Sequence, residues 1–290
     1  METGSCLPPE LEREIFELAA RTWPSVCFPL LLVARRVLVW IEPMLYRTLT
    51  FHERSNSAKI ELKTPEFLAR HVRHIIISGW ANDDPADILR SLPSAEHLAL
   101  GHDHTKHPQL TAAAFLAMNN LRRLVFYSAA VFPFLSSLVS AATLPVFSQL
   151  THLDLFDSFN PAFEQLYRSL PALTHLSPTS GTHWPTLERL LSLDSGCKHL
   201  QALVVFDVQM ALPGDLLEMR LVLTHRKPWL HGYPEETWAE GAFDSDTFWD
   251  VADEFIAKKR KGLILATNFT VPRDFKHIEI ANDSGAMDWT

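Results

Sequence analysis

The chain carries a short apolar pattern that recurs six times through its middle. In each copy an apolar residue is followed by two variable positions, a second apolar residue, one variable position and a third apolar residue. The copies are VRHIII from residue 72, AEHLAL from 95, LRRLVF from 121, LTHLDL from 150, LTHLSP from 173 and LQALVV from 200. Their starts are 23, 26, 29, 23 and 27 positions apart, and helical-looking pieces such as PTLERLLSLD lie between them. A strand and a helix repeating at this interval predict stacked units, each of which buries its apolar face only against its neighbours.

The period of this pattern is that of leucine-rich repeats, whereas its finer sequence departs from theirs. Regular leucine-rich repeats place Asn or Cys at the ninth position, where the side chain binds backbone amides of the turn. Here the ninth positions hold Trp80, Asp103, Ala129, Ser158, Gly181 and Val208. The fifth copy also has Pro178 where an apolar residue is expected. We therefore predict an α/β fold in which residues 71–230 form an irregular leucine-rich-repeat solenoid of parallel strands and helices, with residues 218–225 as a candidate seventh strand.

A small helical module precedes the repeats over residues 6–50. Its first helix lies in LPPELEREIFELAA, and a second helical run extends from about residue 30 to residue 47. The first helix has an apolar face, made by Leu11, Ile15 and Leu18 and widened by Phe16 and Ala19. Before the module lies a short tail, residues 1–5, and after it a connector, residues 51–70. Two short helices with wide apolar faces need each other and a further surface to pack against.

The last zone, residues 231–290, lacks the repeat and contains one predicted helix at about residues 246–261. Gly262 supplies its stop, and we expect this zone to form a helical cap on the open end of the solenoid. The basic run Lys258, Lys259, Arg260 and Lys261 closes the helix, where cations complement the helix dipole. A nuclear-import patch or a contact with an acidic partner is the alternative for this run.

Composition restricts the class of partner. The net charge of -8 and the pI of about 5.9 give no electrostatic reason to expect nucleic acid or an anionic membrane. The cysteines, Cys6, Cys27 and Cys197, are too few and too far apart for a disulfide framework or a zinc site. The N-terminal METGSC lacks the features of a secretory signal, and prolines and charges interrupt the most apolar stretch, residues 27–45. Its uninterrupted part is shorter than the ~20 residues of a membrane span, so we expect a location in the cytoplasm, the nucleus or both.

The N-terminal module resembles an F-box. The usual F-box opens with Leu-Pro-x-Glu, continues with Ile-Phe and a Leu, and then has a Leu-rich helix ending near Val-x-Arg-x-x-x-Trp. The first half of this pattern is matched by Leu7, Pro8, Glu10, Ile15, Phe16 and Leu18, and the second half by Leu31, Leu32, Val33, Arg36 and Trp40. Together with the repeats, the chain resembles F-box-like/leucine-rich-repeat proteins of a large family expanded in mushroom-forming (basidiomycete) fungi.

This resemblance implies a non-catalytic substrate receptor of a Skp1-cullin-RING ubiquitin ligase. The module would bind a Skp1-type adaptor, and the repeats would bind a target protein that the sequence does not identify. The residues implied in adaptor binding are Leu7, Pro8, Glu10, Ile15, Phe16, Leu18, Leu32, Val33, Arg36 and Trp40. The alternative is a leucine-rich-repeat scaffold without ligase association, in which the N-terminal helices pack wholly against the repeats. The loop RTWPSVCFP between the two helices departs from the usual F-box.

The third position of the repeated pattern suggests where the target binds. In a leucine-rich-repeat strand this position points to the concave, solvent-facing side of the sheet. It holds His74, His97, Arg123, His152, His175 and Ala202, and two residues further along lie Ile76, Ala99, Val125, Asp154, Ser177 and Val204. We predict a target-binding strip consisting of His74, His97, Arg123, His152, Asp154 and His175. The alternative is that these polar residues merely fill solvent-facing positions.

Other clusters give weaker indications. The stretch GHDHTKH, residues 101–107, has a metal-like composition, yet it follows a strand on a loop and lacks the helical context of a zinc enzyme. No phosphate-binding loop, nucleophile elbow or zinc-protease motif occurs, and the Ser180–His183 pair has nothing to orient the base. We therefore predict no catalytic residues, no metal and no cofactor. An enzyme with a His-based site on the concave face is a remote alternative.

Overall fold

Strands form at the repeated apolar pattern, and helices form in the segments between its copies. The structure is a computed structural model that describes residues 7–51, 60–77, 84–100, 108–126, 144–155, 164–178, 183–192, 194, 196–206, 210–224, 248–272 and 275. These residues have an α/β fold of parallel strands and helices, which confirms the predicted class. The chain divides into two compact units, one of residues 1–121 with 235–245 and the other of residues 122–234 with 246–290.

The first unit begins with three helices: α1 (Pro9–Thr22), α2 (Cys27–Leu31) and α3 (Arg35–Leu45). A proline at the first helical position is favourable because the amide it lacks would have no partner within the helix. The prediction of one continuous helix from about residue 30 to residue 47 is wrong. The extended backbone of Ala34, with φ −162° and ψ 155°, separates α2 from α3.

Three parallel strands follow in the first unit: β1 (Thr48–Phe51), β2 (His74–Ile77) and β3 (His97–Leu100). The helices of this region are α4 (Pro65–His71), α5 (Pro85–Ser91) and α6 (Pro108–Leu116), with a short 3-10 helix at Ile60–Leu62. The sequence reading missed β1, whose residues it assigned to the end of the helical module and the start of the connector. Strand β1 fits the repeated pattern once Tyr46 is accepted at its first position, because Thr48 then aligns with His74.

The second unit contains β4 (Arg123–Phe126), β5 (His152–Leu155), β6 (His175–Ser177), β7 (Ala202–Val205) and β8 (Leu221–Leu223), each parallel to the next. Between them lie α7 (Glu164–Ser169), α8 (Trp184–Leu191) and a 3-10 helix at Pro145–Phe147. The candidate seventh strand in EMRLVLTH is confirmed as β8.

The repeated pattern defines the core because its apolar positions are buried wherever the structure describes their side chains. The first positions, each at most 4% exposed, are Val72, Ala95, Leu121, Leu150, Leu173 and Leu200. Strand pairing begins one residue later. The carbonyl of Arg122 accepts hydrogen bonds from the amides of Thr151 at 2.8 Å and His152 at 3.0 Å, and the carbonyl of Thr151 accepts in the same way from Thr174 and His175. The same geometry at successive copies keeps the third-position residues in register.

The C-terminal zone of the second unit contains α9 (Phe248–Arg260), close to the predicted 246–261. Its apolar residues Trp249, Ala252, Phe255 and Ile256 form a buried cluster with Ala202, Val204, Phe206 and Val222 of the sheet. Gly262, with φ 73°, follows the helix, and residues 269–271 then bond to β8: Leu223 donates to Phe269 at 2.7 Å and accepts from Val271 at 2.9 Å. The helix therefore covers a sheet face, whereas an extended segment pairs with β8. The backbone groups of a helix are already hydrogen-bonded within it, so a helix cannot pair with an edge strand. Different residues therefore cover the sheet face and pair with β8.

Candidate functional site

Helix α1 exposes a stripe of large aliphatic side chains. Leu7, Leu11, Ile15 and Leu18, here called the α1 stripe, are between 45% and 58% exposed. Leu11, Ile15 and Leu18 are spaced by four and three residues, which places them along one side of α1, and Leu7 lies two residues before the helix begins. A helix of a globular domain normally buries such a stripe, so its exposure marks a candidate surface for a partner.

The other side of α1 faces the interior of the module. Ala20 is buried in one cluster with Cys27, Val37 and Ile41, and Phe16 packs against that cluster. The rings of Phe16 and Trp40 lie 6.4 Å apart. The sequence reading placed Phe16 on the same face as the stripe, whereas the structure gives α1 two separate apolar faces.

A second group of exposed apolar side chains lies around α2. It comprises Trp23, Phe28, Leu32 and Val33, of which Leu32 is 88% exposed. Sequence reasoning named Leu32 and Val33 but missed Leu11, Trp23 and Phe28 as surface residues. The indication available was the loop RTWPSVCFP, which holds two large aromatic residues where a connecting loop is normally polar.

The residues implied in adaptor binding therefore divide into two sets. The exposed ones are Leu7, Pro8, Glu10, Ile15, Leu18, Leu32, Val33 and Arg36. Phe16 and Trp40 pack within the module, and Arg36 binds Glu12 of α1 through two hydrogen bonds of 2.9 and 2.6 Å. This bond to Glu12 raises the pKa of Arg36 and joins α1 to α3. Phe16 and Trp40 face the interior of the module, and the exposed Arg36 holds α1 against α3 through Glu12. The other seven residues are exposed and can contact a partner.

In the first unit the third-position residues Thr48, His74 and His97 align across β1, β2 and β3. The imidazole rings of His74 and His97 lie 4.2 Å apart. His74 is only 5% exposed, His97 is half-buried, and Ile76 and Ala99 further along the same face are buried. The predicted register is confirmed, but His74 does not face solvent.

In the second unit Arg123, His152, His175 and Ala202 align in the same way. The rings of His152 and His175 stack 4.1 Å apart with an interplanar angle of 6°. Trp249 of α9 contacts both rings, with centroids at 5.4 and 5.5 Å. The Nε2 atom of His175 lies 3.0 Å from Oδ1 of Asp253, which is also on α9.

The expectation of an open, solvent-facing strip is therefore wrong in this part of the second unit. His175, Asp154 and Ser177 are buried, and His152 and Arg123 are half-buried. Over His152 and His175 the cause is α9, because its Trp249 and Asp253 lie on the sheet face that was expected to face solvent. Target binding by the strip stays a prediction. A target could contact only those strip residues that α9 leaves exposed.

The remaining predicted clusters are placed as follows. Residues 101–107, with the metal-like His and Asp residues, lie outside the described part of the chain. Within the described part, no group of three or more His, Cys, Asp or Glu side chains is arranged to hold a metal ion. None of the helices described there combines the length and the apolar character that crossing a bilayer would require.

The basic run at the end of α9 is divided between packing and solvent. Lys258 pairs with Glu254 at 3.1 Å and lies over the ring of Phe275. Lys259 is 2% exposed, lies 4.3 Å from the centre of the Phe269 ring, and has its pKa lowered by burial to about 8. Arg260 and Lys261 are exposed. Half of the run therefore serves the packing of α9, which leaves two cations for a partner.

Comparison with known proteins assigns the chain to no family. A scan against protein-family models finds no match to the chain. A search among curated proteins finds no match either. The function is therefore inferred from the exposed and buried residues themselves.

Proposed function

We propose that this protein is a non-catalytic substrate receptor of a Skp1-cullin-RING ubiquitin ligase. Its N-terminal helices bind a Skp1-type adaptor, and its repeat region binds a target protein. The observation that carries the proposal is the exposure of the α1 stripe on a helix whose opposite side already packs on α3. The F-box-like residue pattern, together with the repeats that follow it, indicates that this partner is a Skp1-type adaptor.

The energetics favour a partner over solvent for this surface. Fully burying a large aliphatic side chain stabilises a complex by about 1.5 to 3 kcal/mol. The stripe residues are about half exposed, so each can contribute roughly half of that, and Leu32, Val33 and Phe28 add further exposed area. The gross gain over seven such residues is then on the order of 5 to 10 kcal/mol, before the cost of association. This gross gain is comparable to the cost of association, so the exposed apolar residues would be a main contribution to a complex and not its sole source.

The scaffold alternative expects a different distribution of apolar side chains. If the N-terminal helices served only to close the repeats, residues 6–50 would pack their apolar faces wholly against them. The exposure of Leu11, Ile15 and Leu18 runs against that expectation. A scaffold that binds some other partner through the same stripe is left to experiment.

The direct test is co-purification of the full chain with a Skp1-type protein. The double variant Ile15→Glu/Leu18→Glu should abolish the complex, since it places two charges in an apolar interface. Leu7→Ala/Pro8→Ala tests the other end of the stripe. Leu217→Glu is the matched control, because Leu217 is 69% exposed but lies in the repeat region of the second unit. Absence of binding by the wild-type chain would refute the ligase proposal. If Leu217→Glu lost binding to the same extent, the loss in the stripe variants would not be evidence that the adaptor binds at the stripe.

A further inference from the structure

The end of α3 and the start of α4 surround an ammonium group in the first unit. The Nζ atom of Lys63, which precedes α4, lies 5.2 Å from the ring centres of both Tyr46 and Phe67. The two rings are nearly perpendicular, with centres 5.3 Å apart and an interplanar angle of 89°. The same Nζ donates a hydrogen bond of 2.6 Å to the carboxylate of Glu42. Tyr46, Phe67 and Glu42, here called the ammonium site, therefore contact a single cation.

Helix ends fix the backbone that carries both rings of the ammonium site. The amide of Tyr46 donates to the carbonyl of Pro43 at 3.3 Å in the last turn of α3. The amide of Phe67 donates to Oγ1 of Thr64 at 3.2 Å, and this bond caps the start of α4. Lys63, in contrast, reaches the rings on a flexible four-carbon stem. The rings are therefore the fixed part of the arrangement, which keeps the ordering cost low when another cation takes the place of Lys63.

One carboxylate and one neutral imidazole adjoin the rings. The carboxylate is that of Glu42, which pairs with the cation. The imidazole is that of His71, whose ring centre lies 4.7 Å from that of Phe67. Burial, together with the charges of Arg70 and Arg73, lowers the pKa of His71, so its ring is neutral at pH 7. His71 therefore adds aromatic surface without adding a positive charge of its own.

Lys63 fills the ammonium site but is not locked into it. Its side chain is 21% exposed and that of Glu42 is 32% exposed, so solvent screens the ion pair. Partly exposed ion pairs and cation–π contacts each shift an equilibrium by roughly two- to fivefold. Together they amount to on the order of tenfold, which the cation of a partner can overcome. The ammonium of unmodified lysine is also strongly hydrated, whereas aromatic cages recognise methylated ammonium groups.

The present occupant indicates which methylated cation fits, because a lysine side chain already reaches both rings. We propose that the ammonium site binds a trimethylated lysine of a partner protein, and that Lys63 occupies the site until this ligand displaces it. The methyl groups of the ligand then contact Tyr46 and Phe67, and its charge faces Glu42. These residues lie outside the α1 stripe, so the inference does not depend on the proposed ligase function.

Fluorescence anisotropy with two short labelled peptides tests the ammonium site in the full chain. The peptides are identical except that a central lysine is trimethylated in one and unmodified in the other. Both carry the same charge, so a difference in affinity reports contact with the rings and not general attraction to a chain of net charge -8. We expect the wild type to bind the trimethylated peptide at least about threefold more tightly.

Removing the internal competitor should strengthen binding. Lys63→Ala should raise the affinity for the trimethylated peptide about three- to tenfold, since the ligand no longer has to displace Lys63. Lys198→Ala is the matched control, because Lys198 is exposed in the second unit, and loss of the same charge there should leave the affinity unchanged.

Removing a ring should have the opposite effect. In the Lys63→Ala background, Tyr46→Leu should abolish the preference for the trimethylated peptide. If that variant does not fold, Glu42→Gln takes its place and should lower the affinity for this peptide about threefold or more. Equal affinity of the wild type for the two peptides would overturn the proposal, and so would an unchanged affinity in Lys63→Ala. Free choline that binds as tightly as the trimethylated peptide would overturn the assignment to lysine.

Discussion

Replacing Lys259 with methionine should make the protein more stable at neutral pH. Lys259 is 2% exposed, and its Nζ donates one long hydrogen bond, 3.4 Å, to the carbonyl oxygen of Glu218. Burial lowers its pKa from 10.5 to about 8, although the nearby Glu218 acts in the opposite direction. The folded protein therefore holds a charge that is poorly compensated. Methionine has a similar length and keeps the packing against Phe255 and Phe269 without the charge.

The lowered pKa of Lys259 sets the expected size of the effect. A fall from 10.5 to about 8 corresponds to about 3 kcal/mol of unfavourable free energy for the charged form in the folded state. Loss of the cation–π contact with Phe269 offsets about 1 kcal/mol of the gain. Lys259→Met should therefore raise the free energy of unfolding at pH 7 by about 1 to 2 kcal/mol.

The pH dependence has a defined sign. Below pH 8 both the folded and the unfolded wild type carry the proton on Lys259, so the cost of the buried charge is present in full. Between pH 8 and 10.5 the folded form releases the proton while the unfolded form retains it, and the stability contributed by this group rises with pH. The advantage of Lys259→Met should shrink accordingly.

Urea unfolding at about pH 7 and about pH 9.5 measures both effects. Lys261→Met is the control, because Lys261 lies in the same basic run but is exposed, and it should change stability by less than about 0.5 kcal/mol. The reasoning is refuted if Lys259→Met is less stable than the wild type at pH 7. It is also refuted if the difference between the two proteins is the same at both pH values.

Two further predictions concern the segment between α8 and β7. Gly196→Ala should destabilise the protein by about 2 kcal/mol or more, since the new Cβ would lie 2.5 Å from the carbonyl oxygen of Ser192 and closer still to that of Leu190; an unchanged urea midpoint would contradict this. Cys197, whose pKa burial raises to about 12, should be alkylated at about pH 8 more than a hundredfold more slowly in the folded chain than in urea. Peptide mass spectrometry measures that rate, and rapid labelling of the folded chain would show that the thiol is not enclosed.

The repeat was predictable because it rests on local periodicity. The pattern identified β2 to β7 from sequence, and β8 as a candidate, since each copy places buried residues at fixed positions. Strand β1 was missed because Tyr46 replaces the aliphatic residue at its first position and the strand directly follows α3. The break at Ala34 was missed for a related reason: LLLVARRVLVW reads as one helical run, and no proline or glycine marks the extended residue.

For the third-position residues of the repeated pattern, solvent exposure was less predictable from sequence than alignment between neighbouring strands. Parallel pairing fixes that His152 lies beside His175, and the repeated pattern specifies this alignment directly. What covers those rings is Trp249, which is 74 positions beyond His175 and belongs to a zone without the repeat. The sequence of α9 predicts a helix with an apolar face. It does not say whether that face meets the end of the repeats or the surface of the sheet.

The same limit applies to α1, and there it bears on function. Periodicity alone joins Leu11, Ile15, Leu18 and Phe16 into one broad apolar face, which any amphipathic core helix would have. The Phe16–Trp40 contact and the Glu12–Arg36 pair fix which side of α1 turns inward, so the stripe cannot rotate into the module. A surface held in its exposed orientation requires little further ordering when a partner binds, which lowers the entropic cost of association. The proposed complex would bury the apolar face of α1 that its own module leaves exposed.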